Sequence, residues 1–201
     1  MRKLVYVLGA SLILASCGGG DSKTGDGKSS SSSESKKDEA KKVDNLLLDP
    51  AALQKAEDEL KALPQFGGKE VNVFQSVEFK RNEIVIAIQD PNNPDNIDQY
   101  YYREGKWTSP TPIQISGGGN MKDNVTPLKD IKFATAATVA KNYLEKAVTV
   151  EGAKQEITWV DFRLIVHTGK RKWATTSIED ARSEYNIEYN MDGSVKDFKK
   201  R

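Results

Sequence analysis

The chain has little that could carry redox or metal chemistry. Its 201 residues include one cysteine, Cys17, and one histidine, His167. A lone cysteine excludes an internal disulfide, so any fold must hold by packing alone. One imidazole without a second sulfur or nitrogen ligand falls short of the sets that bind zinc. No Gly-x-Ser-x-Gly string is present, which removes the nucleophile turn of the α/β-hydrolases. Charge of one sign is also missing: 30 basic residues stand against 29 acidic ones. A chain so balanced has no bulk field to draw it to nucleic acid or to an anionic surface. The one long apolar run, Leu4 to Leu14, is about 11 residues, and a spanning helix needs roughly 20.

What is present at the start is a targeting pattern. Arg2 and Lys3 precede the apolar run, and small residues follow it in Leu14-Ala15-Ser16-Cys17. A charged start, a short apolar stretch and small residues before a cut site make a secretory signal. The string Leu-Ala-Ser-Cys resembles the bacterial lipobox, and the chain resembles bacterial, Bacteroidota-like lipoproteins. The resemblance implies cleavage before Cys17, a diacylglycerol thioether on its sulfur and acylation of the new N-terminus. Two or more acyl chains make a stable anchor where one is marginal. The implied location is the bacterial cell envelope, lipid-anchored, on the periplasmic or cell-surface face of the outer membrane. The membrane would then be a partner through the acyl chains on Cys17.

Composition divides the rest. Residues 1–16 are read as the signal peptide and 17–45 as a lipid-anchored Gly/Ser/Lys linker. Aliphatic and aromatic side chains are almost absent before Val43, so this stretch cannot bury enough apolar area to offset its ordering entropy. About 28 residues of such chain span roughly 30 Å end to end.

From residue 46 the pattern becomes that of a folded domain. Asp49-Pro50 reads as N-cap and first helical residue, and Leu53, Ala56, Leu60 and Leu63 recur at helical spacing until Pro64. Alternation through Glu70–Lys80, then Ile84, Ile86 and Ile88, then Tyr100 to Arg103 gives three strands, with a short fourth from Lys106. A glycine-rich break follows. A second helix is expected over Phe133–Val148, then strands over Gln155–His167, Lys172–Ser177, Ser183–Met191 and Val195–Phe198, with Asp192-Gly193 as a hairpin turn.

The two halves look alike. Each has a helix, a strand meander ending in an aromatic strand, an acid-Gly turn and a short strand. Tyr101 to Trp107 lies over Tyr189 to Val195 with one gap. The fold expected is α+β, a tandem αβββ repeat over 46–115 and 131–201, joined by a loop over 116–130. Tyr189-Asn-Met-Asp-Gly-Ser-Val195 and this layout resemble the tandem PepSY-like and β-lactamase-inhibitor-like domains. That resemblance implies binding or inhibition, with no catalytic residues and no cofactor.

Candidate chemistry is sparse. His167 ends a strand beside a turn and has no nucleophile to serve. Asp90, Asn92, Asp95 and Asp98 gather oxygen ligands of the kind calcium takes, though not at EF-hand spacing. The outer sheet face is the more informative surface. If Tyr101 matches Tyr189 as core, Tyr100 and Tyr102 point outward, with Trp159, Asp161 and Arg163 on the same side. Aromatic side chains with arginine are the usual anchors of binding surfaces. The function expected is non-catalytic binding of an envelope protein or polymer. The alternatives are an envelope hydrolase using a carboxylate site and an accessory subunit of an outer-membrane complex.

Overall fold

Asp49 closes the first helix as its sequence position requires: its carboxylate accepts the Ala52 N–H at 2.9 Å, and Pro50 takes the first helical position. Such a cap contributes about 1 kcal/mol. The computed structural model describes residues 45–201; the signal-like segment, Cys17 and nearly all of the tether lie outside the described residues. Helix α1 spans Pro50–Lys61, with Leu53, Ala56, Glu57 and Leu60 buried. Helix α2 spans Ala134–Val148 and buries Ala136, Ala137, Val139, Ala140, Tyr143 and Ala147.

The chain is α+β: two helices and antiparallel strands. In chain order these are β1 (Asn72–Lys80), β2 (Glu83–Gln89), β3 (Ile97–Arg103), β4 (Lys106–Trp107), β5 (Thr111–Ile113), β6 (Val125–Pro127), β7 (Trp159–Ile165), β8 (Lys170–Thr175), β9 (Ile178–Glu179), β10 (Glu184–Tyr189) and β11 (Val195–Lys200). The main sheet runs β4-β3-β2-β1-β7-β8, with β5 beside β3 and β6 beside β1. Strands β11-β10-β9 form a separate sheet. The first helix and its strands therefore meet the second helix and its strands along one antiparallel seam, β1 on β7.

That seam depends on a bulge. Val73 faces Ile88 and Val77 faces Ile86, so four steps on β1 match two on β2. Gln75 sits in the excess with φ of 56°, a left-handed conformation that is uncommon outside glycine. Before the bulge the free edge of β1 pairs β6, and after it the edge pairs β7. The segment expected as a plain loop, 116–130, thus contributes a strand. The long strand expected over Gln155–His167 is ordered into the ladder only from Trp159 to Ile165, and Val166 beyond it is exposed.

Residues facing each other across a ladder share a face. Tyr102, Ile84, Phe79 and Val160 form one inner row, and Tyr100, Ile86, Val77, Phe162 and Trp173 the next. Both rows are buried under the helices. Phe79 meets Phe133 edge-on at 5.0 Å, and Trp107 Nε1–H donates to the Ala56 carbonyl at 2.9 Å. Each large apolar side chain buried this way contributes about 1.5–3 kcal/mol.

The helices are tied by a charge. Glu57 of α1 is fully buried, and its Oε2 accepts the Phe133 N–H at 2.8 Å, where α2 begins. Its Oε1 pairs with Lys61. An amide at a helix start is otherwise an orphan donor, so one side chain of α1 completes the end of α2.

Candidate functional site

The outer face of the main sheet is the surface from which a site can be built. Its central row is Tyr101, Val85, Glu78, Asp161 and Ala174. Flanking it are Arg103 with Glu83, Lys80 with Trp159, and Ser76 with Arg163 and Lys172. Both helices bury their apolar stripes on the opposite face. Among the described residues no helix covers this one, and Val85, Ala87, Glu78, Trp159 and Arg163 stay half-exposed.

Trp159, Asp161 and Arg163 alternate along β7 with buried Val160, Phe162 and Leu164, so they share the outer face as their spacing requires. Tyr100 and Tyr102, expected beside them, lie on the inner face instead, 3% and 5% exposed. Tyr100 packs on Phe66 and Tyr102 on Trp107. Burial, with the Glu59 charge and hydrogen bond, pushes the Tyr102 hydroxyl up to about 12. The reason is register: Tyr102 faces Ile84 and Tyr100 faces Ile86, both core residues, which leaves Tyr101 to face outward. Tyr101 and not its neighbours is the site aromatic of β3, with the Arg103 guanidinium 4.3 Å over its ring.

The electrostatics of the face centre on Asp161. Its side chain is only 10% exposed, hidden among longer neighbours. Glu78 stands directly opposite on β1 and Lys172 stands opposite Arg163 on β8. Burial pushes the Asp161 carboxyl up to about 6, partly offset by Arg163 and reinforced by Glu78. Arg163 Nη2 pairs with Asp161 Oδ2, while Asp161 Oδ1 and Arg163 Nε are buried without partners. Those two orphans belong to one ion pair, joined at one point where a guanidinium fork offers two. Outward from Asp161 the charges alternate through Glu78, Lys80, Glu83 and Arg103; Lys80 Nζ lies 2.9 Å from Glu78 and 3.4 Å from Glu83, and Arg103 pairs with Glu83.

The face carries more positive than negative charge. Lys80, Arg103, Lys106, Arg163, Lys170 and Lys172 stand against Glu78, Glu83 and Asp161. With Tyr101 and Trp159 among them, the surface suits an acidic partner that also offers apolar contact.

The other expected sites fare differently. Asp90, Asn92 and Asp98 line a depression of about 150 Å³ with Phe66 and Tyr100, but Asp95 is an exposed loop residue outside it. Burial and then the Asp90 charge raise the Asp98 carboxyl. Asp90 Oδ1 already accepts the Asn92 N–H at 2.8 Å, a turn-forming bond. Among the described residues no three carboxylate, histidine or cysteine side chains gather to hold a metal. His167 is exposed in the turn after β7. Lipidation at Cys17 lies outside the described residues.

Besides the outward Tyr101, two acids that shape the fold and its face were not singled out in the sequence. Glu78 is concealed by the alternation of β1, where it reads as a solvent-facing residue; only the pairing with Asp161 makes it part of a site. Glu57 left a signal: an acid inside the apolar stripe of an amphipathic helix needs a buried partner.

Compared with family models, with curated proteins and with solved structures, the chain matches none.

Proposed function

We propose that the protein is a lipid-anchored, non-catalytic binding protein of a bacterial cell envelope, and that the outer sheet face receives an acidic protein. The observation that carries this reading is the face that no helix among the described residues covers, with Trp159, Tyr101 and Arg163 beside a six-to-three excess of cations over anions. Rigid aromatics with arginine anchor interfaces at low entropic cost. The lipobox-like string supplies the anchor and the tether supplies reach.

The test is recovery of partners from envelope extract with the intact protein and with a Trp159→Ala/Arg163→Ala variant. The reading expects an acidic protein held by the first and lost by the second, with the variant still folded by circular dichroism. Equal recovery by both would refute it.

A second reading has one observation in its favour. Asp90 and Asp98 share a depression in which one carboxyl is raised toward an acid's role. A hydrolase there would lose turnover of envelope polysaccharide on Asp98→Asn; a binding protein would not.

A further inference from the structure

We propose that docking on the sheet face is proton-linked: a proton taken up by Asp161 releases Arg163 to hold a carboxylate of the acidic protein partner. The inference rests on the binding reading above and names its regulation.

The geometry is that of a competition for one guanidinium. Among the described residues Arg163 has one counter-ion, Asp161, engaged at one point. Its side chain is 41% exposed although Nε is buried, so the outer part of the guanidinium faces the surface on which a partner would land. Lys172 stands directly across the ladder, and like charges so placed are unfavourable unless an anion joins them. An incoming carboxylate would bridge Arg163 and Lys172.

Asp161 is itself in an awkward place. The groups facing it are Glu78 from β1, Lys172 from β8 and Arg163 from its own strand. Lys80 is drawn to Glu78 and Glu83 and so does not relieve it. The buried rows beneath are apolar. When Asp161 takes a proton from solvent, its O–H can donate to the Glu78 carboxylate opposite. One negative charge and one acid–acid repulsion then disappear, and Arg163 loses its internal competitor. The ligand carboxylate replaces the Asp161 carboxylate as the counter-ion, so charge is conserved in the exchange. Burial pushes the Asp161 carboxyl up to about 6, so the exchange falls between the ordinary carboxylate range and neutral pH. By linkage the effect is reciprocal: a ligand that favours protonated Asp161 raises that group's proton affinity by the same factor.

The test uses the full chain purified in detergent and a labelled oligo-aspartate peptide, whose carboxylates stay ionised down to about pH 5. Anisotropy is read near pH 7.5 and near pH 5 at constant, low ionic strength. The intact protein should bind about tenfold tighter at the lower pH, which corresponds to about one unit of coupling. Asp161→Asn should bind near pH 7.5 as tightly as the intact protein does near pH 5, without pH dependence. His167→Asn, which removes the one imidazole of the chain, should keep the response. In the intact protein, the carbon-13 titration midpoint of the Asp161 carboxyl should rise by about one unit at saturating peptide. Binding with no pH response and an unmoved midpoint would overturn the proton link and leave the face reading standing. No binding by either the intact protein or Asp161→Asn at either pH would overturn both.

Discussion

Gly193 offers the sharpest test of how the C-terminal strands are held. It sits in the turn between β10 and β11 with φ of +84°, a conformation that costs a residue with a Cβ about 1–2 kcal/mol. The turn also lies against α2. A Cβ at this position would come within 3.0 Å of Thr135 Cγ2, 3.1 Å of Thr138 Cβ and 3.2 Å of the Thr135 carbonyl oxygen. Two of those atoms belong to β-branched side chains with restricted rotamers, and the third is helix backbone, so little can give way. Overpacking of this kind costs about 1–3 kcal/mol. Shifting the turn instead would weaken the bond from Asn142 Nδ2 to the Gly193 carbonyl, 2.8 Å, and from Trp173 Nε1 to the Met191 carbonyl, 3.0 Å. Gly193→Ala should therefore cost about 2–5 kcal/mol. Gly105 is the control: φ is +76°, and a Cβ there meets nothing within 4 Å. Gly105→Ala should show only the backbone cost of about 1–2 kcal/mol. Urea unfolding followed by tryptophan fluorescence measures both. If the two variants lose the same stability within about 0.5 kcal/mol, the turn is not docked on α2 and the reasoning fails.

Three further outcomes follow from the same contacts. Glu57→Ala should destabilise by about 3–5 kcal/mol, because it strands the Phe133 amide and removes the counter-ion of Lys61; Glu57→Gln, which keeps an acceptor, should cost clearly less, both by urea unfolding. Tyr102→Ala should cost about 3–5 kcal/mol as a core truncation, whereas Tyr101→Ala should stay within about 1 kcal/mol. Asp161 carries a pH signature. Its folded value, about 6, lies above the ordinary 3.8, so it contributes stability that is full below 3.8 and lost as pH rises through about 6. That loss is at most about 3 kcal/mol, and Asp161→Asn should flatten the stability profile in this window.

The local features of this fold were legible because they depend on neighbours in sequence. The Asp49-Pro50 start, the stripe through Leu53, Ala56 and Leu60, and the alternation that puts Trp159, Asp161 and Arg163 opposite Val160 and Phe162 are all short-range signals. The phase of β3 was not legible. Tyr100, Tyr101 and Tyr102 are chemically equivalent, so alternation cannot say which one faces in; the pairing of Tyr102 with Ile84 decides it, and that is a non-local fact. Aligning Tyr101 with Tyr189 across a gap chose the wrong phase, and a one-residue slip reverses every side chain. Strand β6 was hidden because three residues, Val-Thr-Pro, are too few to show a period. The Glu78–Asp161 pair was hidden because each acid alone looks like a solvated residue, and only register brings them face to face.

The outer sheet face is the surface proposed to meet an acidic partner. A photo-crosslinking residue placed at Val85, in the centre of that face, can be compared in living cells with one at Lys141, exposed on α2. Docking on the sheet face predicts an adduct with an acidic protein from the Val85 position and none from Lys141. An adduct from Lys141, with nothing captured at Val85, would contradict it.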